Sequence, residues 1–268
     1  MATVALVTGA SSGIGAATAA LLSQRGFEVY GTSRRPDPPP PGAPSTIRWV
    51  AMDVRSDDSV RRGVGEVLAQ GSRIDALVCN AGAGAFGSVE ELPLEAARAQ
   101  FETNFFGTLR TLRAVLPGMR ERSAGRVVLV GSLAGRAPIP FQAHYSASKA
   151  AIDALALALR NELHPLGVRV SLVEPGDFRT AFNDATDFGH TDGSAYGERI
   201  ARCRRVVEES LPKAPGPEIA AAIIHRALTA RRPRVRYTVG PESRLVPFGR
   251  RFLPDAWMLR FIRSHFRV

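Results

Sequence analysis

Lysine is nearly missing from this chain. Of thirty-five basic residues in 268, only Lys149 and Lys213 are lysines, so the position of either one carries information. Cysteine is scarce as well. Cys79 and Cys203 are too few for a disulfide framework and lack metal-ligand spacing, which points to a reducing, cytoplasmic setting without a metal site. No run of roughly 18 or more apolar residues occurs, which excludes an integral membrane helix. The opening stretch, Met1 to Gly9, has neither a basic leader nor a cleavage pattern and reads as a strand, so a secretory signal is not expected.

Charge of one sign dominates, with a formal net of +10 at neutral pH. The arginines are nonetheless scattered in short pairs, such as Arg34–Arg35, Arg61–Arg62 and Arg204–Arg205. No helix-turn-helix, zinc or RNP-type signature accompanies them, so no nucleic-acid partner is expected. A solvated basic surface with some pull on a phosphorylated ligand is the simpler reading.

Strand-like apolar runs alternate with helix-period stretches along the chain. Strands are expected at Val4–Thr8, Glu28–Gly31, Ile47–Met52, Ala76–Cys79, Arg126–Gly131, Arg169–Glu174 and Arg236–Val239. Helices are expected at Ile14–Gly26, Ser56–Gln70, Leu94–Pro117, Ala143–His164 and Pro217–Ala230. Continuous Val/Ile/Leu strands suit a parallel sheet buried on both faces. The predicted fold is therefore α/β, a single doubly wound Rossmann-type domain over 1–268 with about seven parallel strands.

Three stretches break the rhythm. Pro36–Pro44, with its six prolines, reads as a stiff surface loop. Asn183–Gly216 is long and polar and reads as a loop, within a substrate-binding stretch at about 177–216. The extension at about 241–268 ends in an amphipathic helix, Trp257–Val268, expected to dock on the protein's own core or on a second subunit rather than on a membrane.

The first strand runs directly into Thr8-Gly9-Ala10-Ser11-Ser12-Gly13-Ile14-Gly15, which opens a helix. Glycines at such a turn let the backbone approach a pyrophosphate, and the helix N-terminus offers it N–H groups and a favourable dipole. The second strand ends at Ser33-Arg34-Arg35, with no acid before Asp37. A carboxylate there would hold the ribose 2′-hydroxyl of NAD, whereas a basic residue accommodates the 2′-phosphate of NADP. Arg34 therefore favours NADP(H) over NAD(H).

Tyr145 and Lys149 are four residues apart on one helix, which brings their side chains to one face about 6 Å apart. A phenol of pKa about 10 is a poor acid/base at neutral pH, and a nearby ammonium is expected to lower that value. Ser132 follows the fifth strand, where ligands of open α/β sheets bind, and can hydrogen-bond a substrate oxygen.

Together these motifs resemble the short-chain dehydrogenase/reductase family, in its shorter-subunit, non-epimerase branch. The match runs over roughly Thr3–Thr180 and also takes in Asp53-Val54, Asn80-Ala81-Gly82, Asn104 and Pro175-Gly176. The resemblance implies that Tyr145 is the general acid/base, that Lys149 lowers its pKa and binds the nicotinamide ribose, and that Ser132 polarises the carbonyl. It implies that Asn104 holds a water linking Lys149 to solvent. By the same resemblance Gly9, Ser11, Ser12, Gly13, Ile14 and Gly15 cradle the cofactor, Asp53 and Val54 contact adenine, and Asn80, Ala81 and Gly82 line the site. Pro175, Gly176, Phe178 and Thr180 would clasp the carboxamide. Cys79, where the family more often has Asn, reads as a buried strand-end thiol, and His144 as a helix-start residue.

The Val29–Arg34 and Arg236–Pro241 segments are similar to the hydroxysteroid and retinol dehydrogenase subgroup. That similarity, together with Phe178, Phe182, Phe188, Tyr196, Trp257, Phe261 and Phe266 as candidate pocket walls, implies a lipophilic ketone or secondary alcohol. Two alternatives stay open: a ketoreductase for polyketide or carrier-bound intermediates, and a non-catalytic NADP(H) sensor. A homodimer or homotetramer is the family habit.

Overall fold

A computed structural model describes residues 2–36, 39–71, 73–180 and 194–268. Seven strands, all parallel, form one sheet: β1 Val4–Val7, β2 Glu28–Ser33, β3 Arg48–Ala51, β4 Ala76–Cys79, β5 Gly125–Val130, β6 Val168–Pro175 and β7 Arg236–Val239. Their order is β3-β2-β1-β4-β5-β6-β7. The chain winds outward from β1 to β3, then crosses back to continue from β4 on the other side. The reversal falls between β1 and β4, and a crevice opens there beyond the carboxyl ends of the strands.

Why the strands read as unbroken apolar runs is visible in the packing. Val4 and Leu6 of β1 enter one core, with Leu77, Val127 and Leu129. Ala5 and Val7 enter the other, with Val78, Val128 and Val130. Helices cover both faces. Against the first core lie α2 (Asp57–Gly71), α4 (Gly107–Glu121) and α5 (Ala143–Leu163), through Val64, Leu112 and Ile152 among others. Against the second lie α1 (Gly13–Gln24) and α7 (Glu218–Thr229), through Leu22 and Ile224.

The expected helix Leu94–Pro117 is three pieces in one run. α3 (Leu94–Phe101) passes through a π-helical turn, Glu102–Phe106, into α4, which continues beyond Pro117 to Glu121. An extra residue in a helical turn redirects a side chain, and such turns recur at functional sites. Here the residue at the middle of the turn is Asn104, which is buried.

Part of the stretch expected to be loop is helical. α6 (Gly197–Ser210) docks through Ile200, Cys203 and Val206 alone. Most of its remaining surface is arginine and glutamate, paired along the helix as Arg202–Glu198 and Arg204–Glu208. Three inward residues in fourteen leave a weak apolar signal, which is why the sequence pattern reads as loop. The extension likewise folds as two helices, α8 (Leu245–Phe252) and α9 (Asp255–Phe266). α9 buries only Met258 and Ile262, one turn apart, so its docking on the core is partial. No described helix is long and apolar enough to cross a membrane.

Candidate active site

The glycine turn after β1 is built for close approach. Gly9 and Gly13 both have positive φ, a conformation that favours glycine. A Cβ on Gly15 would lie 2.2 Å from the Gly9 carbonyl oxygen and 2.4 Å from Asn80 Nδ2. Asn80 laces the crevice shut at its base, donating from Nδ2 to the carbonyls of Thr8 and Gly9, each at 3.1 Å. Its backbone N–H donates to Thr8 Oγ1 at 3.0 Å, as does that of Ala81 at 3.1 Å. Ser11 and Ser12 are exposed at the mouth of α1, and no side chain caps that helix. Its first N–H groups thus face outward without an internal acceptor, next to Ile14 and Gly15. An anion such as a pyrophosphate meets these requirements.

Thr180 comes down on this turn from the far side. Its Cβ lies 3.2 Å from where a Gly13 Cβ would stand, so the segment after β6 meets the segment after β1. Pro175 ends β6, and Gly176 donates its N–H to the Val239 carbonyl at 2.8 Å, fixing the start of that segment. The Phe178 ring packs into the core with Val130, Tyr237 and Val239, so only its backbone is left to face a ligand.

At the rim below β2 and β3, Arg34 is exposed and its charge reaches Asp53. Asp53 is held by Arg55, with Nη2 to Oδ2 at 2.8 Å, and this pair keeps its carboxyl below the usual range. Arg55 has no motif in the sequence to flag it. Val54 is buried under Gly107, where a Cβ would come within 2.7 Å of it. Asp37 lies outside the described residues.

On the other side of the crevice, α5 carries Tyr145 and Lys149 into one pocket with Ser132. Lys149 is 6% exposed, and its Nζ donates to the Val130 carbonyl at 3.0 Å. Burial pulls its ammonium down to about 8. The ammonium sits 5.8 Å from the centre of the Tyr145 ring. Ser132 follows β5 in extended backbone, and its Oγ accepts the Ala134 N–H at 3.1 Å.

Tyr145 departs from expectation. Its phenol is pushed up to about 12, by burial first, with a Ser132 hydrogen bond opposing the rise and the charge of Asp177 adding to it. Lys149 donates one of its N–H groups to Val130 and keeps its charge, yet the phenol stays above its ordinary value. With the ring crowded by protein and the ammonium beside its face, desolvation of the phenolate outweighs the attraction.

Asn104 is placed by the π-helical turn as a bracket. Its Oδ1 accepts the Ala83 N–H at 2.8 Å, while Nδ2 donates to the Ala83 carbonyl at 3.1 Å and to Ser148 Oγ at 2.9 Å. It thereby ties the loop after β4 to the helix that carries Tyr145 and Lys149. Gly82 lies between them: a Cβ on it would stand 3.4 Å from Asn104 Oδ1 and 3.7 Å from Lys149 Nζ. Ser148, one residue before the lysine, is the partner that sequence reading missed. The Cys79 thiol is buried and pushed up to about 12, as an inert strand-end residue should be.

Of the expected substrate walls, Tyr196 and Phe266 gather with Phe86, Phe141, Ile200 and Cys203 into a small apolar cluster. Phe141 is four residues before Tyr145 and adopts positive φ, its carbonyl accepting the Gly87 N–H at 2.7 Å. Trp257 and Phe261 do not join it. They are 67% and 50% exposed, because α9 turns its Met258–Ile262 stripe inward instead. Phe182 and Phe188 lie outside the described residues.

Comparison with known proteins agrees with this geometry. The model of the short chain dehydrogenase family matches residues 3–188. The chain is 35% identical to a 3-ketodihydrosphingosine reductase of Bacteroides thetaiotaomicron, over 99% of this chain and 98% of that one. It is 37% identical to the 17-beta-hydroxysteroid dehydrogenase type 1 of Homo sapiens, covering 94% and 81%. A Burkholderia cenocepacia short chain dehydrogenase solved in complex with NADP superposes with TM-score 0.78 at 27% identity, covering 97% of each chain. The chain thus belongs to the short-chain dehydrogenase/reductase family, as an oxidoreductase acting on CH–OH groups through a nicotinamide cofactor.

Proposed function

We propose that this protein is an NADP(H)-dependent reductase of a bulky lipophilic ketone, working reversibly on the matching secondary alcohol. The observation that carries the reading is the convergence of Tyr145, Ser132 and the one buried lysine, Lys149, beside a glycine turn shaped for pyrophosphate. Bound on that turn, with Asp53, Val54, Asn80–Gly82 and Pro175–Thr180 around it, the cofactor supplies or accepts a hydride.

The chain's own groups handle the oxygen and its proton. Ser132 donates a hydrogen bond to the ketone oxygen and holds it within reach of the Tyr145 hydroxyl. Tyr145 gives its proton to that oxygen as the carbinol forms. A phenol near 12 is fully protonated at neutral pH, which suits the reductive direction. Lys149 offsets the negative charge that develops on the phenol. Asn104, through Ser148 and Ala83, keeps the helix and the loop after β4 in register.

The pH dependence follows from Lys149. Its ammonium is charged below about 8 and lost above it. Reduction is therefore expected to be flat at low pH and to fall as pH rises through about 8, roughly tenfold per unit beyond it. A profile of kcat/KM for the holoenzyme checks this, and a rate that holds level to pH 10 would contradict it.

The choice of NADP rests on Arg34, an exposed guanidinium at the end of β2 whose field already reaches Asp53. Arg34→Asp is expected to weaken NADPH binding by at least roughly tenfold, about 1.4 kcal/mol, and to leave NADH as the tighter ligand. Titration of nicotinamide fluorescence reads both values. Unchanged preference would remove Arg34 from the phosphate site.

Two similarities support a lipophilic substrate: relatives named for a ketodihydrosphingosine and for a 17-beta-hydroxysteroid. The partly buried rings of Phe141, Tyr196 and Phe266, packed over Phe86, offer apolar surface, with Phe141 four residues before Tyr145. The test is NADPH oxidation with long-chain and polycyclic ketones against small polar ones. The reading expects turnover concentrated on the former; a preference for small polar ketones would overturn it. Phe106 and Leu157, 45% and 37% exposed, leave apolar surface for a homodimer or homotetramer.

A further inference from the structure

The last 28 residues carry apolar surface that the fold does not use. In α8, Phe248 and Phe252 are 60% and 61% exposed, and their rings lie 4.8 Å apart. In α9, Trp257 is 67% and Phe261 50% exposed, with Leu259 at 49% beside them. The two helices pack on each other where Gly249 lets Met258 Sδ approach, a Cβ there being only 2.6 Å away. Five exposed apolar side chains thus fall on one pair of packed helices, a surface patch rich in aromatics. A soluble surface rarely exposes so many neighbouring aromatics without a partner.

Positive charge is in excess around the patch. Arg250 pairs with Asp255 at 2.6 Å, and Arg267 reaches Glu209 at 3.4 Å. Arg244, Arg251, Arg260 and Arg263 are exposed and have no ion-pair partner among the described residues. Such a surface disfavours a second copy of itself, because two-fold packing of the patch would bring eight unpaired guanidinium groups together. It suits an anionic surface that also accepts aromatic side chains. Those two requirements describe the headgroup region of an acidic bilayer, where Trp and Phe settle at the boundary and Arg meets lipid phosphate.

We propose that α8 and α9 form a peripheral docking surface for anionic membranes. α9 is about 18 Å long, too short to span a bilayer, and lies in the interface plane with Trp257 and Phe261 inserted. The far end of the same helix reaches the apolar cluster near Tyr145: Phe266 packs against Phe86, Ile200 and Cys203. One face of the C-terminal hairpin thus meets lipid while its end borders the expected substrate cleft. The attachment does not depend on what the enzyme reduces.

The experiment is flotation of the full chain with vesicles of phosphatidylcholine alone, and with about 30 mol% phosphatidylglycerol. Binding roughly a hundredfold tighter to the acidic vesicles is expected, since three arginines near the surface each contribute about a factor of five. Salt of about 0.5 M should remove most of that difference. A variant with F248S, F252S, W257S and F261S should lose flotation on both vesicles. Replacing Arg251, Arg260 and Arg263 by Gln should abolish only the preference for acidic lipid. Because all these side chains are exposed, both variants should keep the parent's melting temperature within about 3 °C. Absence of flotation by the parent chain overturns the proposal. So does equal flotation by the serine variant, or sedimentation showing that those four substitutions split a dimer while vesicle binding is nil.

Discussion

Tyr145→Phe is expected to lower kcat by roughly 10³–10⁴ while leaving KM and cofactor affinity within about threefold. The substitution removes one oxygen, the only atom that gives the ketone its proton, and leaves the ring in place over Lys149. Ground-state packing changes little because the ring remains half-buried on the first turn of α5. Ser132 then keeps its capping role toward Ala134 but loses its partner at the phenol. Ser132→Ala should cost less, roughly 10², since it polarises the oxygen without supplying the proton. Steady-state kinetics on the two variants separate these effects. If Tyr145→Phe retained activity within tenfold of the parent, the proton would have to come from elsewhere, and the raised phenol would be an ordinary buried tyrosine.

Gly15→Ala should destabilise the fold and abolish cofactor binding together. The added methyl would stand 2.2 Å from the Gly9 carbonyl oxygen, a backbone atom that cannot swing aside as a flexible side chain can. Relief requires moving the turn itself, which pulls the Thr8 and Gly9 carbonyls from Asn80. Overpacking together with two strained hydrogen bonds suggests a loss of about 3 kcal/mol, or roughly 6–12 °C in Tm. NADPH affinity should fall by at least about a hundredfold, because the displaced turn no longer presents the N-terminus of α1. Gly65→Ala is the matched control. That glycine lies inside α2 with nothing within 4 Å of its missing Cβ, so alanine there should add about 0.5–1 kcal/mol. Thermal unfolding and fluorescence titration of both variants give the comparison. A Gly15→Ala protein with parental Tm would mean that the turn is slack and not built for close approach.

What was legible in the sequence is what depends on neighbours a few residues away. The Gly9–Gly15 turn, the four-residue step from Tyr145 to Lys149, and the double-sided apolar strands all declare themselves locally, and the structure has all three where expected. Residues whose meaning depends on distant partners did not. Ser148 matters only because a π-helical turn 44 residues earlier aims Asn104 at it. The same holds for α6, where Ile200 and Cys203 find their core in Phe86, from the loop after β4. Which side of α9 is buried is equally a tertiary choice. Its composition offers Trp257, Phe261 and Phe266 as equals, and packing takes only the last of them. The four-residue spacing from Tyr145 to Lys149 likewise announces the ammonium but not the burial that raises the phenol.

The most direct test of the central claim is to follow deuterium. The holoenzyme would be supplied with NADPH deuterated at the transferring position of the nicotinamide and with a long-chain or polycyclic ketone. Mass spectrometry of the product then locates the label. Hydride transfer with Tyr145 as proton donor predicts one deuterium on the carbinol carbon in the parent enzyme and next to none formed by Tyr145→Phe in the same time. Label absent from that carbon, or appearing there equally fast without the Tyr145 hydroxyl, would contradict the account.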